Sequence, residues 1–162
     1  MTKRLPKEDQ EKVAAELRYP FGRVELQCDQ YKVSLHVKPF GERRQTIAVY
    51  VDGWIKGEWL LSDCEQRRRF MRRRERFLRS PKARADLLKA FGKREFKKQR
   101  FDRKWESYLP YWDSVTAMLR QFHATCASVE LLAVGYATCS SDVRIEKLSS
   151  DAVEPKPEEA DA

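Results

Sequence analysis

The residues in this chain best suited to chemistry are arginines. Gln66 to Lys104 holds 18 Lys/Arg and 4 Asp/Glu, a local charge of +14 in a 162-residue chain whose net charge is +8. The remainder is therefore mildly acidic. A guanidinium is a permanently charged planar fork that grips phosphate through two hydrogen bonds and stacks on bases. Arg68, Arg69, Arg72, Arg73, Arg76 and Arg79 are the candidate contacts to a nucleic-acid backbone, supported by Lys93, Arg94, Lys97 and Lys98. Such contacts position a strand without reading its bases. Phe96, Phe101 and Trp105, set among Lys97, Lys98, Arg100, Arg103 and Lys104, suit either stacking on unpaired bases or anchoring a basic helix on the core.

No other chemistry is spelled out. The six glycines form neither a GxxxxGK[ST] nor a GxGxxG loop. His36 and His123 sit in no recognisable nucleophile arrangement, and no HExxH or GxSxG is present. Cysteines at 28, 64, 126 and 139 lack the close pairing of zinc ligands. We therefore expect a non-catalytic protein with no metal, cofactor or small-molecule substrate. The chain shows no apolar leader and no apolar run of membrane-spanning length, so the expected setting is cytoplasmic, with free thiols and no membrane partner.

The arginines need an element to hold them. Ser62-Asp63-Cys64-Glu65 reads as a capping box opening a helix that runs to Arg79. At 100° per residue, Phe70, Met71, Phe77 and Leu78 share one side, and Arg68, Arg69, Arg72, Arg76 and Arg79 the other. Arg67 and Arg74 fall in the apolar sector, where their stems would snorkel outward or their guanidiniums pair with a carboxylate at the sheet edge. Arg69, Arg72, Arg76 and Arg79 then form a ridge of roughly 15 Å at ~1.5 Å per residue. Ser80-Pro81 reads as an N-cap and first-turn proline, and Gly92 as the residue that ends a helix over Pro81–Phe91. Lys93 to Lys104 is a third short helix or an extended arm.

The flanking sequence supplies the platform. A helix is expected over Lys7–Arg18. Alternating residues predict strands over Val24–Cys28, Tyr31–Val37, Thr46–Val51 and Trp54–Trp59, joined by turns at Asp29-Gln30, Pro39-Phe40-Gly41 and Asp52-Gly53. His36 falls on the polar phase and is expected at the surface. Trp105, Tyr108, Leu109, Tyr111 and Trp112 form an aromatic cluster, followed by a helix from Asp113 or Ser114 to about Thr125 and a buried strand over Val129–Val134. Asp142–Leu148 reads as an edge strand or the start of loose chain. The acidic run from Ser149 is expected to be disordered, and its carboxylates are positioned to fold back on the arginines. The predicted fold is one α+β domain over residues 1–148. An antiparallel meander of four to six strands is packed by amphipathic helices, with a basic helical flank (62–104) and an acidic tail (149–162).

The runs YVDGWIKGEWLLSDCEQRRRF, KAFGKREFKK and YLPYWDSVTAMLRQFHATCASVELLAVGY resemble small uncharacterised proteins of bacteriophages and prophages, over roughly residues 20 to 136. The resemblance carries no functional residue. It implies a bacterial cytoplasm during phage growth or lysogeny. Small proteins in that setting bind nucleic acid or disable host machinery, CRISPR systems included. The second reading is accordingly a phage accessory protein that binds and inhibits an acidic host protein complex through the same basic surface.

Overall fold

The computed structural model describes residues 2–139 and 143–146. The acidic run from Ser149, and part of the segment Asp142–Leu148, lie outside these residues.

Helix α1 (Lys7–Glu16) starts behind Pro6, with Glu8 and Asp9 at its positive end. It stops before the expected Arg18 because the chain must turn back beneath it. A Cβ on Gly22 would lie 2.2 Å from the Glu16 carbonyl oxygen, so only glycine fits that return. Strands β1 (Arg23–Cys28) and β2 (Tyr31–Phe40) form a hairpin around Asp29-Gln30, with Asp29 at φ 53°. Strand β3 (Arg44–Val51) meets β4 (Trp54–Lys56) across Asp52-Gly53, at φ 51° and 81°, as a two-residue turn with both central residues left-handed requires. The fourth strand is shorter than expected. Glu58–Leu61 coils into a single-turn helix, α2.

The largest departure follows. Ser62 does not open a long helix. Its hydroxyl donates to the Glu58 carbonyl (2.8 Å) and closes α2, while Cys64 precedes α3 (Glu65–Phe70) without a side-chain cap. At Met71 the backbone becomes extended, and Arg72–Phe77 is a strand, β5. Two forces favour this. Phe70 and Met71, 0% and 1% exposed, both enter the core. A continuous helix would also stack Arg68 on Arg72, Arg69 on Arg73 and Arg72 on Arg76, like charges one turn apart. An extended chain separates them.

Helix α4 (Pro81–Lys98) is capped by the Ser80 hydroxyl, which accepts from the Ala83 amide (3.2 Å). Gly92, at φ 76° and ψ 166°, breaks it in two, so the expected second helix is present, and of the two alternatives for Lys93–Lys104 the chain takes a short helix, which ends at Lys98. No residue of α4 is buried. The chain then returns as β6 (Lys104–Leu109), antiparallel to β5. Strand β7 (Tyr111–Trp112) pairs with β3, and α5 (Val115–Thr125) is capped by Ser114. Strand β8 (Val129–Val134) joins β1, and β9 (Arg144–Glu146) runs parallel to β4. The main sheet thus has seven strands, mostly antiparallel, one more than the upper expectation.

Helices α1, α3 and α5 contribute to the core on one face of this sheet. Phe70 sets its ring edge-on to Tyr31 (5.6 Å) and Phe122 (5.4 Å), and the Trp112 indole N–H donates to the Phe70 carbonyl (3.1 Å). At about 25 cal/mol per Å² of buried apolar surface, such aromatic side chains are the main local source of stability. Cys28 and Cys126 meet in this core. The neighbouring Cys28 draws the pKa of the Cys126 thiol below its ordinary value against the opposing effect of burial, and all four cysteines are free.

The opposite face corrects the expectation for His36. It is 5% exposed, against Tyr50 at 5.0 Å, and its Nε2 has no hydrogen-bond partner among the described residues. Burial, then Arg23 and Lys38, lowers its pKa from 6.5 to about 4, against an opposing pull from Glu25. The unfolded chain therefore takes up this proton first as pH falls. Stability is fully present above pH 6.5 and declines toward pH 4, by roughly 2 kcal/mol between pH 7 and pH 5. Urea unfolding at the two pH values measures this loss, and His36→Leu should remove most of it.

Candidate nucleic-acid interface

Strand geometry sorts the arginine run in a way no helix would. Successive side chains of β5 point to opposite faces. Its register on β6 pairs Arg72 with Leu109, Arg73 with Tyr108, Arg74 with Ser107, Glu75 with Glu106, Arg76 with Trp105 and Phe77 with Lys104. One face of this ribbon therefore carries Arg73, Glu75, Phe77, Lys104, Glu106 and Tyr108, with two cations and two carboxylates. They neutralise each other: Arg73 reaches Glu75 (2.6 Å) and Glu106, and Lys104 reaches Glu75 (3.6 Å). The hydrogen bond with Arg73 lowers the Glu106 pKa and raises that of Arg73. Arg67 covers Tyr108 on this side, and Arg84 covers Phe77.

The other face carries Arg72, Arg74, Arg76, Leu109, Ser107 and Trp105, three cations and no carboxylate. At about 3.4 Å per residue the guanidinium stems stand roughly 7 Å apart, along about 14 Å of strand. Arg72 is held by Asp113, while Arg74 and Arg76 are exposed and pair with no described carboxylate. This face walls a groove of about 820 Å³ whose far side includes Phe40, Arg44 and Tyr111. Arg44 likewise lacks a described carboxylate partner. Phe40 and Trp105, 62% and 48% exposed, offer aromatic surface near the cations.

The ten residues expected to contact phosphate are not one surface. Arg68 pairs with Asp63 (3.3 Å). Arg69 is clamped between Asp29 (2.5 Å) and Glu65 (2.6 Å), and burial is offset by these partners so that its pKa is raised. Arg72 and Arg73 are paired as above. Four of the six candidate arginines are thus already met by carboxylates of the same chain, and the expected ridge of Arg69, Arg72, Arg76 and Arg79 does not form, because the chain is extended from Arg72. Arg76 lines the groove. Arg79 lies over the Phe101 ring (5.1 Å). Lys93, Arg94, Lys97 and Lys98 are exposed on the second half of α4, outside the groove. Phe96 and Phe101 contact each other (5.9 Å), and Phe101 also meets Phe91 (5.6 Å), so they pack the arm.

Helical reading missed Arg74, assigned to the apolar sector, and Arg44 lies between the expected Pro39-Phe40-Gly41 turn and the strand expected from Thr46. The signal for Arg74 was present as Arg-x-Arg-x-Arg facing Leu-x-Ser-x-Trp. Among the described residues no cluster of His, Cys, Asp or Glu is arranged to hold a metal, and no helix is long and apolar enough to cross a membrane. No protein-family model, curated protein or solved structure matches the chain.

Proposed function

We propose that the protein binds nucleic acid non-catalytically through the arginine face of the β5–β6 ribbon. One observation carries this reading: the ribbon cancels its own charge on one face and leaves cations aligned on the other. Folding alone does not require that asymmetry. Arg74, Arg76 and Arg44 supply bidentate phosphate contacts, and Trp105 and Phe40 supply stacking surface. The segment from Arg72 to Leu109 has 15 Lys/Arg and 5 Asp/Glu, so its field draws polyanions toward the groove.

Binding of a fluorescent single strand, followed by anisotropy across salt concentrations, tests the reading. Contact through Arg44, Arg74 and Arg76, with Arg72 shared, gives a log–log slope of roughly −3 at about 0.7 per contacted phosphate. Absence of binding to single-stranded and duplex nucleic acid at low salt would refute it.

The arm's apolar surface favours a second reading. Leu78, Phe91 and Leu88 are 59%, 53% and 38% exposed beside this positive field. Apolar anchors ringed by arginine suit an acidic protein surface, as the phage inhibitor reading requires. Leu88→Ser with Phe91→Ser should then abolish partner inhibition, yet leave nucleic-acid affinity unchanged.

A further inference from the structure

The groove beside the ribbon is not isolated. Arg72 also lines a second groove, of about 630 Å³, between the ribbon base and α5. Arg68, Arg73 and Arg120 contribute to its walls, Met71, Tyr108 and Trp112 to its apolar lining, and no carboxylate lines it. Arg120 and Ala124 in turn line a third groove, of about 530 Å³, between α1 and α5, with Arg4 and Lys7 on its wall and Glu11 its one carboxylate. Arg4, Lys7 and Arg120 are exposed and pair with no described carboxylate. His123, also in the third groove, accepts the Leu5 amide at Nε2 (3.3 Å), and burial and then Arg4 lower its pKa, so it adds no charge.

From these shared walls we infer that the three grooves form one continuous track for a single-stranded nucleic acid, running from Arg76 past Arg72 and Arg120 to Arg4. This rests on the ribbon reading and specifies its ligand. The first groove uses the Arg74 face of the ribbon, and the second is lined by Arg73 and Tyr108 of the opposite face. A ligand occupying both must bend around the ribbon base. Duplex DNA resists such a bend, with a persistence length of about 150 base pairs. A single strand follows it freely. At the bend Asp113 holds Arg72, so a passing phosphate must displace that carboxylate.

The test compares single strands of about 6 and about 18 nucleotides, near the lower and upper site sizes of single-strand binders. Arg4→Glu with Arg120→Glu, both at exposed positions, should weaken the long strand about tenfold and flatten its salt slope by about 1.4, leaving the short strand unchanged. Asp113→Asn should tighten the long strand. If the Arg4/Arg120 variant binds the long strand normally while Arg74→Glu with Arg76→Glu weakens both lengths, the track is wrong and the ribbon site stands. If the unaltered protein does not bind the short strand, the ribbon reading itself fails. Equal affinity for a blunt duplex and the long single strand would overturn the choice of ligand.

Discussion

Arg74→Glu with Arg76→Glu is expected to weaken nucleic-acid binding by about 3 kcal/mol, more than a hundredfold, and to leave the fold intact. Each charge-assisted contact to phosphate contributes about 1.5–3 kcal/mol, and reversal adds repulsion where attraction stood. Both side chains are exposed and without a described carboxylate partner, so the folded state gives up little. The salt slope should flatten by about 1.4, the share of two phosphates on a single strand. The control lies one residue away. Arg73 is the same residue type on the same strand, but faces Glu75 and Glu106. Arg73→Glu disrupts an exposed ion-pair lattice and should leave stability nearly unchanged, with a much smaller effect on affinity for a short strand that occupies the first groove alone. Anisotropy titrations of the two variants at matched salt measure the contrast. Equal losses would show that the ribbon's two faces are not functionally distinct.

That contrast also marks where the sequence stopped being readable. Local chemistry placed both hairpins, because Asp29-Gln30 and Asp52-Gly53 supply residues that accept left-handed backbone. It placed Ser80 as a cap and Gly92 as a break, and narrowed the cap of α5 to Asp113 or Ser114, of which Ser114 serves. The arginine run is different. Six of the nine residues from Arg68 to Arg76 are arginine, so the run has almost no polar–apolar contrast from which to read a period. Phe70, Met71, Phe77 and Leu78 fitted one helical face. Yet only the first two are core, while Phe77 and Leu78 are 39% and 59% exposed. What decides the backbone is a partner strand some thirty residues later, whose Glu106 meets Arg73. The same limit hid His36, since alternation shows that a strand has two faces but not that both are covered. A basic composition was legible from the start; which of its cations are free was settled by contacts between residues far apart in the chain.

Asp29 shows how decisive one such distant contact is. Its carboxylate accepts from the Ser128 amide (2.8 Å) and hydroxyl (3.3 Å), the Ala127 amide (3.1 Å) and the Arg69 guanidinium (2.5 Å). One side chain in a hairpin turn therefore ties β1 to the α5–β8 junction and to α3. Asp29→Ala should destabilise the protein by about 4 kcal/mol. It strands two amides and leaves a largely covered guanidinium with only Glu65. It also puts alanine at φ 53°, a conformation aspartate tolerates better. Asp29→Asn keeps that tolerance and one acceptor, so about half the loss is expected. Burial raises the Asp29 pKa, but the hydrogen bonds from Ser128, Ala127 and Arg69 outweigh it, and the pKa lies below the ordinary 3.8. The carboxylate's stabilisation is therefore present above pH 3.8 and lost as pH falls through its folded value. Denaturation of wild type and Asp29→Asn should differ near neutrality and converge in strong acid. A difference that persists unchanged would mean that side-chain shape, rather than charge, holds the turn. Nucleic-acid affinity of the folded Asp29→Asn variant should stay at the wild-type level, because the arginine it loosens is a strut of the fold and lies outside the ribbon groove.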